Sequence, residues 1–241
     1  NSLPAGFLGD FTKNRHVLVI DGQGGYLTKT PSYNSFDWNT IHSKNSVKID
    51  QEGNATISTK IKVDGNFAED MLMVKNYLDT RQQRDYFNRN SPVAGLIINQ
   101  YELSVDHKDS LLLADLSYEG VIQKFVQNTA KRMILKPFLG KLTDEMLLNN
   151  SLNQIDEYQI ELPEVMEAEN LAENLILEEE GIKVTLRTSL EGKSLSVNRE
   201  IHLSLGEDIS EESKTELIKR INALGSSNFY FIKNTAALRH D

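Results

Sequence analysis

Residues 182–205 read IKVTLRTSLEGKSLSVNREIHLSL, and their pattern decides the fold class. In the second arm Leu195, Val197, Ile201, Leu203 and Leu205 fall on alternate positions, with Arg199 the one interruption. Ser196, Asn198, Glu200 and His202 lie between them. A period of two marks a strand with one buried and one wet face. The first arm, residues 182–190, reaches the second through Glu191-Gly192-Lys193, a short connection carrying the glycine that tight reversals favour. The two arms are read as a β-hairpin.

The same signal recurs elsewhere. In residues 55–63, Ile57, Thr59, Ile61 and Val63 alternate with Thr56, Ser58, Lys60 and Lys62, giving a half-buried strand. An extended segment over 36–50 and a turn at 51–54 precede it. Further strands are expected over 97–105, 111–118, 121–127, 131–136, 158–162 and 229–232. Turns are read at 106–109 and at Glu119-Gly120, and a stop at Pro163. Near the start, the apolar run 16–20, the turn signal Asp21-Gly22 and residues 26–30 suggest a separate hairpin, closed off by Pro31-Ser32.

Two segments switch to helical spacing. Phe67, Met71, Val74 and Leu78 form a stripe at i, i+4, i+7 and i+11. Asn66 is read as its cap, with Glu69 completing a capping-box-like pair. The polar residues Arg81, Gln82, Gln83, Arg84 and Asp85 extend the helix to Ser91-Pro92. Residues 143–149 suggest a short helix. Ser210 caps a last helix with apolar Leu217, Ile218, Ile221 and Leu224, and Gly225 stops it. No internal repeat interrupts this order. The expectation is a β-rich α+β fold: an antiparallel β-sandwich-like domain with one long inserted helix and one C-terminal helix. Residues 1–32 read as a junction segment with a hairpin, 33–234 as the domain, and 235–241 as a tail.

Composition narrows the function. A chain of 241 residues with 39% hydrophobic residues can bury one large core or two small ones. No apolar run approaches the ~20 residues of a membrane helix. There is no cysteine, which removes disulfides, thiolate metal sites and a cysteine nucleophile from this chain. A net charge of −9 argues against nucleic acid as a partner. Twelve acidic residues and no Lys or Arg lie between Lys141 and Lys183, whereas residues 120–141 hold five bases and no acid. The simple reading pairs these two stretches as facing strands or leaves them as solvated surface. The sharper one is an acidic face for a cation or a basic partner.

Sites of chemistry are few. His16, His42, His107, His202 and His240 have no metal-ligand spacing. Asp21-Gly22-Gln23-Gly24-Gly25 lacks the Lys-Ser/Thr of a phosphate loop and reads as a hairpin turn. The turns at 50–54 and 106–109 are rich in oxygen ligands but depart from an EF-hand loop, so turn chemistry is the default reading and weak calcium binding the alternative. No GxSxG nucleophile elbow is present. Glu178-Glu179-Glu180 reads as a turn rather than an acid/base pair, because adjacent residues in a strand would point to opposite faces. No cofactor is implied. The one candidate binding set is Arg81, Arg84, Tyr86, Phe87 and Arg89 at the end of the long helix, where arginines beside aromatic rings suit a sugar or a carboxylate. The competing reading has these side chains lying over the edge of the core.

The opening residues Leu3-Pro4-Ala5-Gly6, followed by Asn14-Arg15-His16-Val17-Leu18-Val19-Ile20, resemble the exit from the transglutaminase-like domain of bacterial exported proteins built in three parts. Residues 158–163, the hairpin arm ending Leu195-Ser196-Val197-Asn198-Arg199-Glu200 and the acidic helix start beyond it are similar to the β-domains of that family. The resemblance implies a C-terminal accessory module whose partner is the upstream catalytic domain, with the catalytic Cys, His and Asp outside this chain. It implies a bacterial, extracytoplasmic address. No catalytic residue maps onto this sequence. The residues alone leave a second reading, an independent carbohydrate- or peptide-binding β-domain, and a third, a hydrolase.

Overall fold

A computed structural model describes residues 12, 14–30, 39–108, 111–135, 139–147, 151–171, 173–206, 209–224, 226 and 228–233. Among these residues the strands are β1 (His16–Asp21), β2 (Gly24–Lys29), β3 (Thr40–Ile49), β4 (Ala55–Asp64), β5 (Leu96–Lys108), β6 (Leu111–Ile122), β7 (Val126–Asn128), β8 (Arg132–Leu135), β9 (Ser151–Glu161), β10 (Met166–Asn170), β11 (Leu175–Glu179), β12 (Ile182–Glu191), β13 (Ser194–Ser204) and β14 (Phe229–Lys233). The helices are α1 (Asn66–Tyr77), α2 (Thr80–Asn90) and α3 (Glu211–Leu224). The chain is β-rich with a minor helical part.

Three sheets result. Eight strands run in the order β11-β12-β13-β9-β3-β4-β6-β5, four in the order β10-β14-β8-β7, and β1 pairs with β2 alone. The hairpin at 182–205 is β12 and β13, in unbroken register from Ile182–Leu203 to Glu191–Ser194. Gly192 turns the chain at φ 59°, a conformation that suits glycine. The sheet is not antiparallel throughout: β3 and β9 run parallel. The chain reaches β9 only after more than a hundred residues, so a parallel neighbour is sterically open to it, as a tight hairpin would not allow.

One face of the eight-stranded sheet carries the core. Ile57, Ile122, Tyr158, Ile160, Leu195 and Val197 meet Met133, Leu135, Phe229 and Phe231 of the four-stranded sheet and Val74 and Phe87 of the helices. Leu152, Val184, Ile201 and Leu203 pack on Leu217, Ile218 and Ile221 of α3. Each fully buried aliphatic or Phe side chain contributes about 1.5–3 kcal/mol relative to exposure. The opposite face is polar, as the alternation of β3, β4, β9 and β13 requires.

Several expectations are corrected. The inserted helical segment is two helices, not one. Leu78 is extended at φ −109°, ψ 139°, and Asp79 restarts the chain with a capping box to Gln82. Asn66 is not the cap of α1. Gly65 occupies that position without a side-chain bond, and the buried Asn39 instead accepts from the Asn66 backbone N–H at 3.2 Å. Glu119-Gly120 is not a turn but lies inside β6. A Cβ on Gly120 would come within 2.7 Å of the Ile97 carbonyl, so the glycine marks close backbone approach beside the bulge in β5. The expected short helix is a 3-10 turn, Asp144–Leu147. Strand β9 begins at Ser151, well before the expected 158, and β10 and β11 were not expected at all. Ser210 does cap α3, accepting from the Ser213 N–H at 3.2 Å. Leu3-Pro4-Ala5-Gly6, Phe36, Asp109, Lys136, Asn149, Gly225 and the tail 235–241 lie outside the described residues.

The charge-segregated stretches do not face each other in a ladder. Strand β8 pairs with β7 and β14, and acidic β9 pairs with β13 and β3. The acids of β9 meet lysines of β3: Lys48 Nζ lies 2.7 Å from Glu161 Oε1, and Lys44 Nζ 3.5 Å from Glu157 Oε1. A single ion pair, Arg132 with Glu169, joins the two stretches among the described residues.

Candidate functional site

The arginine–aromatic set does not assemble as one surface. Helix α2 buries Phe87 in the main core, where its ring meets Tyr101 edge-on at 5.2 Å, and Tyr86 packs partly buried beside it. Arg81, Arg84 and Arg89 remain exposed, and Arg89 Nε turns back to the Asp85 carbonyl at 3.2 Å. Phe87 therefore presents no face for stacking. The arginines stand on the outer side of the same helix, as an amphipathic element requires.

A second feature surrounds Arg199, the one interruption in the apolar alternation of β13. Inside the core, Arg199 of β13 faces Asp156 of β9, its register partner. Arg199 donates from Nη2 at 2.6 Å and from Nε at 3.0 Å to Asp156 Oδ2. Ser43 Oγ donates to Asp156 Oδ1 at 2.8 Å, and Gln154 Nε2 to Oδ2 at 2.9 Å. The chain continues from Asn45 Nδ2 to Ser43 Oγ at 3.2 Å and from Thr59 Oγ1 to Asn45 Oδ1 at 2.9 Å. Arg199 Nη1 reaches the Gly140 carbonyl at 2.6 Å, tying the segment 139–147 to the sheet. Desolvation pushes the neighbouring Tyr158 hydroxyl far up from its ordinary value, aided by the Asp156 charge. Every charge here is answered, which is what a low-dielectric site demands. The alternation of β13 gave one signal for it: Arg199 stands where a leucine is expected.

The third feature is the β1–β2 hairpin. Leu18 and Ile20 share a face with Leu27, the partner of Leu18 in the ladder, and with Gly25, the partner of Ile20. Leu18 is 60% exposed, Ile20 78% and Leu27 75%, and Tyr26 on the other face is 55% exposed. Val17 and Val19 are half-buried. The base is held by Thr30 N–H to the Arg15 carbonyl at 2.9 Å and by Lys29 Nζ to Asn14 Oδ1 at 2.9 Å. At the tip Asp21 Oδ1 accepts from the Gln23 N–H at 2.8 Å, an Asx turn.

Of the two oxygen-rich stretches, only 50–54 is a turn; the expected turn at 106–109 is corrected, because Asp106, His107 and Lys108 lie inside β5, paired with β6. Asp50 spends both carboxylate oxygens on Asn54, at 2.7 Å to its N–H and 3.0 Å to its side-chain amide. Among the described residues no three His, Asp or Glu side chains are placed to hold a metal ion, and no helix is long and apolar enough to cross a membrane. Compared with known proteins, the chain matches no family model and no curated protein.

Proposed function

We propose that this chain is a non-catalytic accessory module, the C-terminal part of an exported transglutaminase-like protein, and that the β1–β2 hairpin is its seat against the upstream catalytic domain. The observation that carries this reading is the hairpin's apolar face, with Leu18, Ile20 and Leu27 each at least 60% exposed. A two-stranded hairpin is marginal by itself in water. A contiguous apolar patch on a water-facing strand pair marks an interface. The resemblance in residues 3–20 supplies the occupant, a catalytic domain ending just ahead of this hairpin. In this reading the module is extracytoplasmic, and its two larger sheets, which share one core, form the sandwich-like body.

The alternative is an independent carbohydrate- or peptide-binding domain. A row of exposed aromatic rings on the sheet would favour it. The outer face of the eight-stranded sheet carries no such row among the described residues, and Phe87 of the arginine set is buried. The accessory reading predicts that the native gene encodes, upstream of Asn1, a signal peptide and a Cys, His and Asp in transglutaminase order. An ordinary start codon directly before Asn1 would refute it.

A further inference from the structure

The two larger sheets leave one long edge open among the described residues. Their other outer strands are short: β11 and β10 have five residues each and β7 has three. Strand β5 has thirteen and pairs with β6 alone. Its first residues are closed off. The register slips between Ile98 and Gln100, and Asn88 of α2 accepts from the Ile98 N–H at 2.9 Å. Beyond that point, among the described residues, nothing outside β6 is hydrogen-bonded to the main chain of residues 101–107. This stretch reads YELSVDH, with no proline, glycine or lysine and no bulge. Those are the devices that usually blunt an edge. An open row of N–H and C=O groups is a template for another strand.

The side chains of that stretch select the strand that fits. Glu102, Ser104 and Asp106 are exposed on the wet face, while Tyr101, Leu103 and Val105 are half-buried on the core face. A second copy of β5 can lie antiparallel to the first with the two-fold axis at Leu103. Leu103 then meets Leu103 of the second copy, and Tyr101 meets Val105, an aromatic–β-branched pair of the kind sheets favour. On the wet face Glu102 meets Ser104 and Asp106 meets Gln100, so each carboxylate faces a donor. Moving the axis to Glu102 sets that carboxylate against itself, and moving it to Ser104 sets Glu102 against Asp106. Like charges directly opposite repel. An axis at Val105 avoids the repulsion but shortens the pairing to residues 102–108 and leaves Tyr101 beyond the end of the opposing strand.

We propose that this chain self-associates through β5, two copies joining their eight-stranded sheets edge to edge about an axis at Leu103. The occupant is a second copy because the stretch complements itself in this register on both faces. The contact is narrow, one strand against one strand, so the association is weak. Strand β5 and the β1–β2 hairpin share no residue, so this proposal does not rest on the docking role.

The chain has no cysteine, so a single introduced one reports the register. Residues directly opposite in an antiparallel pair have Cα atoms about 4.5–5.5 Å apart, within reach of a disulfide. Leu103→Cys should give a covalent dimer under mild oxidation. Val105→Cys should not, because the two copies of that residue lie about 14 Å apart along the strands. Sedimentation equilibrium of the unaltered chain should show monomer and dimer exchanging between about 1 µM and 1 mM, the range of a small interface. Ser104→Lys places a cation opposite Glu102 of the second copy, and Asp115 beside it in β6 accommodates the charge. It should tighten the dimer about fivefold. The dimer should persist in the Leu18→Ser, Ile20→Ser, Leu27→Ser variant, which separates it from association through the hairpin. Circular dichroism confirms that each variant folds. A monomer over the whole range, a disulfide at Val105→Cys or none at Leu103→Cys, a dimer not tightened by Ser104→Lys, or one lost with the hairpin substitutions would each overturn the proposal.

Discussion

Arg199 and Asp156 form an ion pair at 2.6 Å between two register partners, each no more than 6% exposed, in the middle of a sheet's buried face. The pair sits among hydroxyl and amide side chains from three strands and holds the Gly140 carbonyl from across the layer. Removing one partner strands the other. Arg199→Ala should cost about 3–5 kcal/mol, whereas replacing both partners with apolar residues of similar volume, as in Arg199→Met with Asp156→Leu, should cost far less. Urea denaturation of the single and double variants measures the difference. Equal losses would show that the network, not the pair, carries the cost.

How much of this was legible beforehand depended on the range of the interaction. Alternation in residues 195–205 and 55–63 gave strands with the correct buried face, because a period of two is local information. The helical stripe at Phe67, Met71 and Val74 was equally local. What was lost depends on distant partners. The parallel contact of β3 with β9 joins segments more than a hundred residues apart and leaves no local trace. Gly120 looked like a turn because its reason, the Ile97 carbonyl, lies on another strand. Of the candidate site, Arg81, Arg84 and Arg89 are exposed on α2, but Phe87 is buried in the core against Tyr101, a partner on a distant strand that leaves no local trace.

The break between α1 and α2 did have a local signal. Asp79-Thr80-Arg81-Gln82 is an N-cap residue followed three positions later by glutamine, and both reciprocal bonds form, at 2.9 and 3.0 Å. Asp79→Ala should destabilise the domain by about 1 kcal/mol. Thermal unfolding read by circular dichroism checks this. A change of zero would mean that tertiary packing alone sets the break.

Gly120 admits a sharper prediction. Its missing Cβ lets the Ile97 carbonyl and Leu96 Cδ1 come close, each 2.7 Å from the position a methyl would take. Gly120→Ala should cost about 1–3 kcal/mol through overpacking, although alanine suits a strand better than glycine elsewhere. Chemical denaturation measures the loss, and a stabilised variant would show that β5 can shift freely.

On the wet face, the hydrogen bond from His42 holds the Glu157 carboxyl below its ordinary value of 4.5, with Lys44 adding a weaker pull. A lowered folded-state value means that this contact stabilises the protein above the unfolded-state value and that the contribution is lost as pH falls through the folded one. His42→Gln should move the Glu157 midpoint upward toward 4.5. Carboxyl chemical shifts followed by NMR from pH 7 to about pH 2 report it. An unmoved midpoint would assign the shift to Lys44.

The central claim is that Leu18, Ile20 and Leu27 are covered in the parent protein. Hydrogen exchange of the residue 16–29 amides, compared between this chain and the full-length protein, tests it most directly. The account predicts fast exchange in the isolated chain and strong protection in the parent, with the protection lost in a Leu18→Ser, Ile20→Ser, Leu27→Ser variant. Equal, fast exchange in both proteins would contradict it.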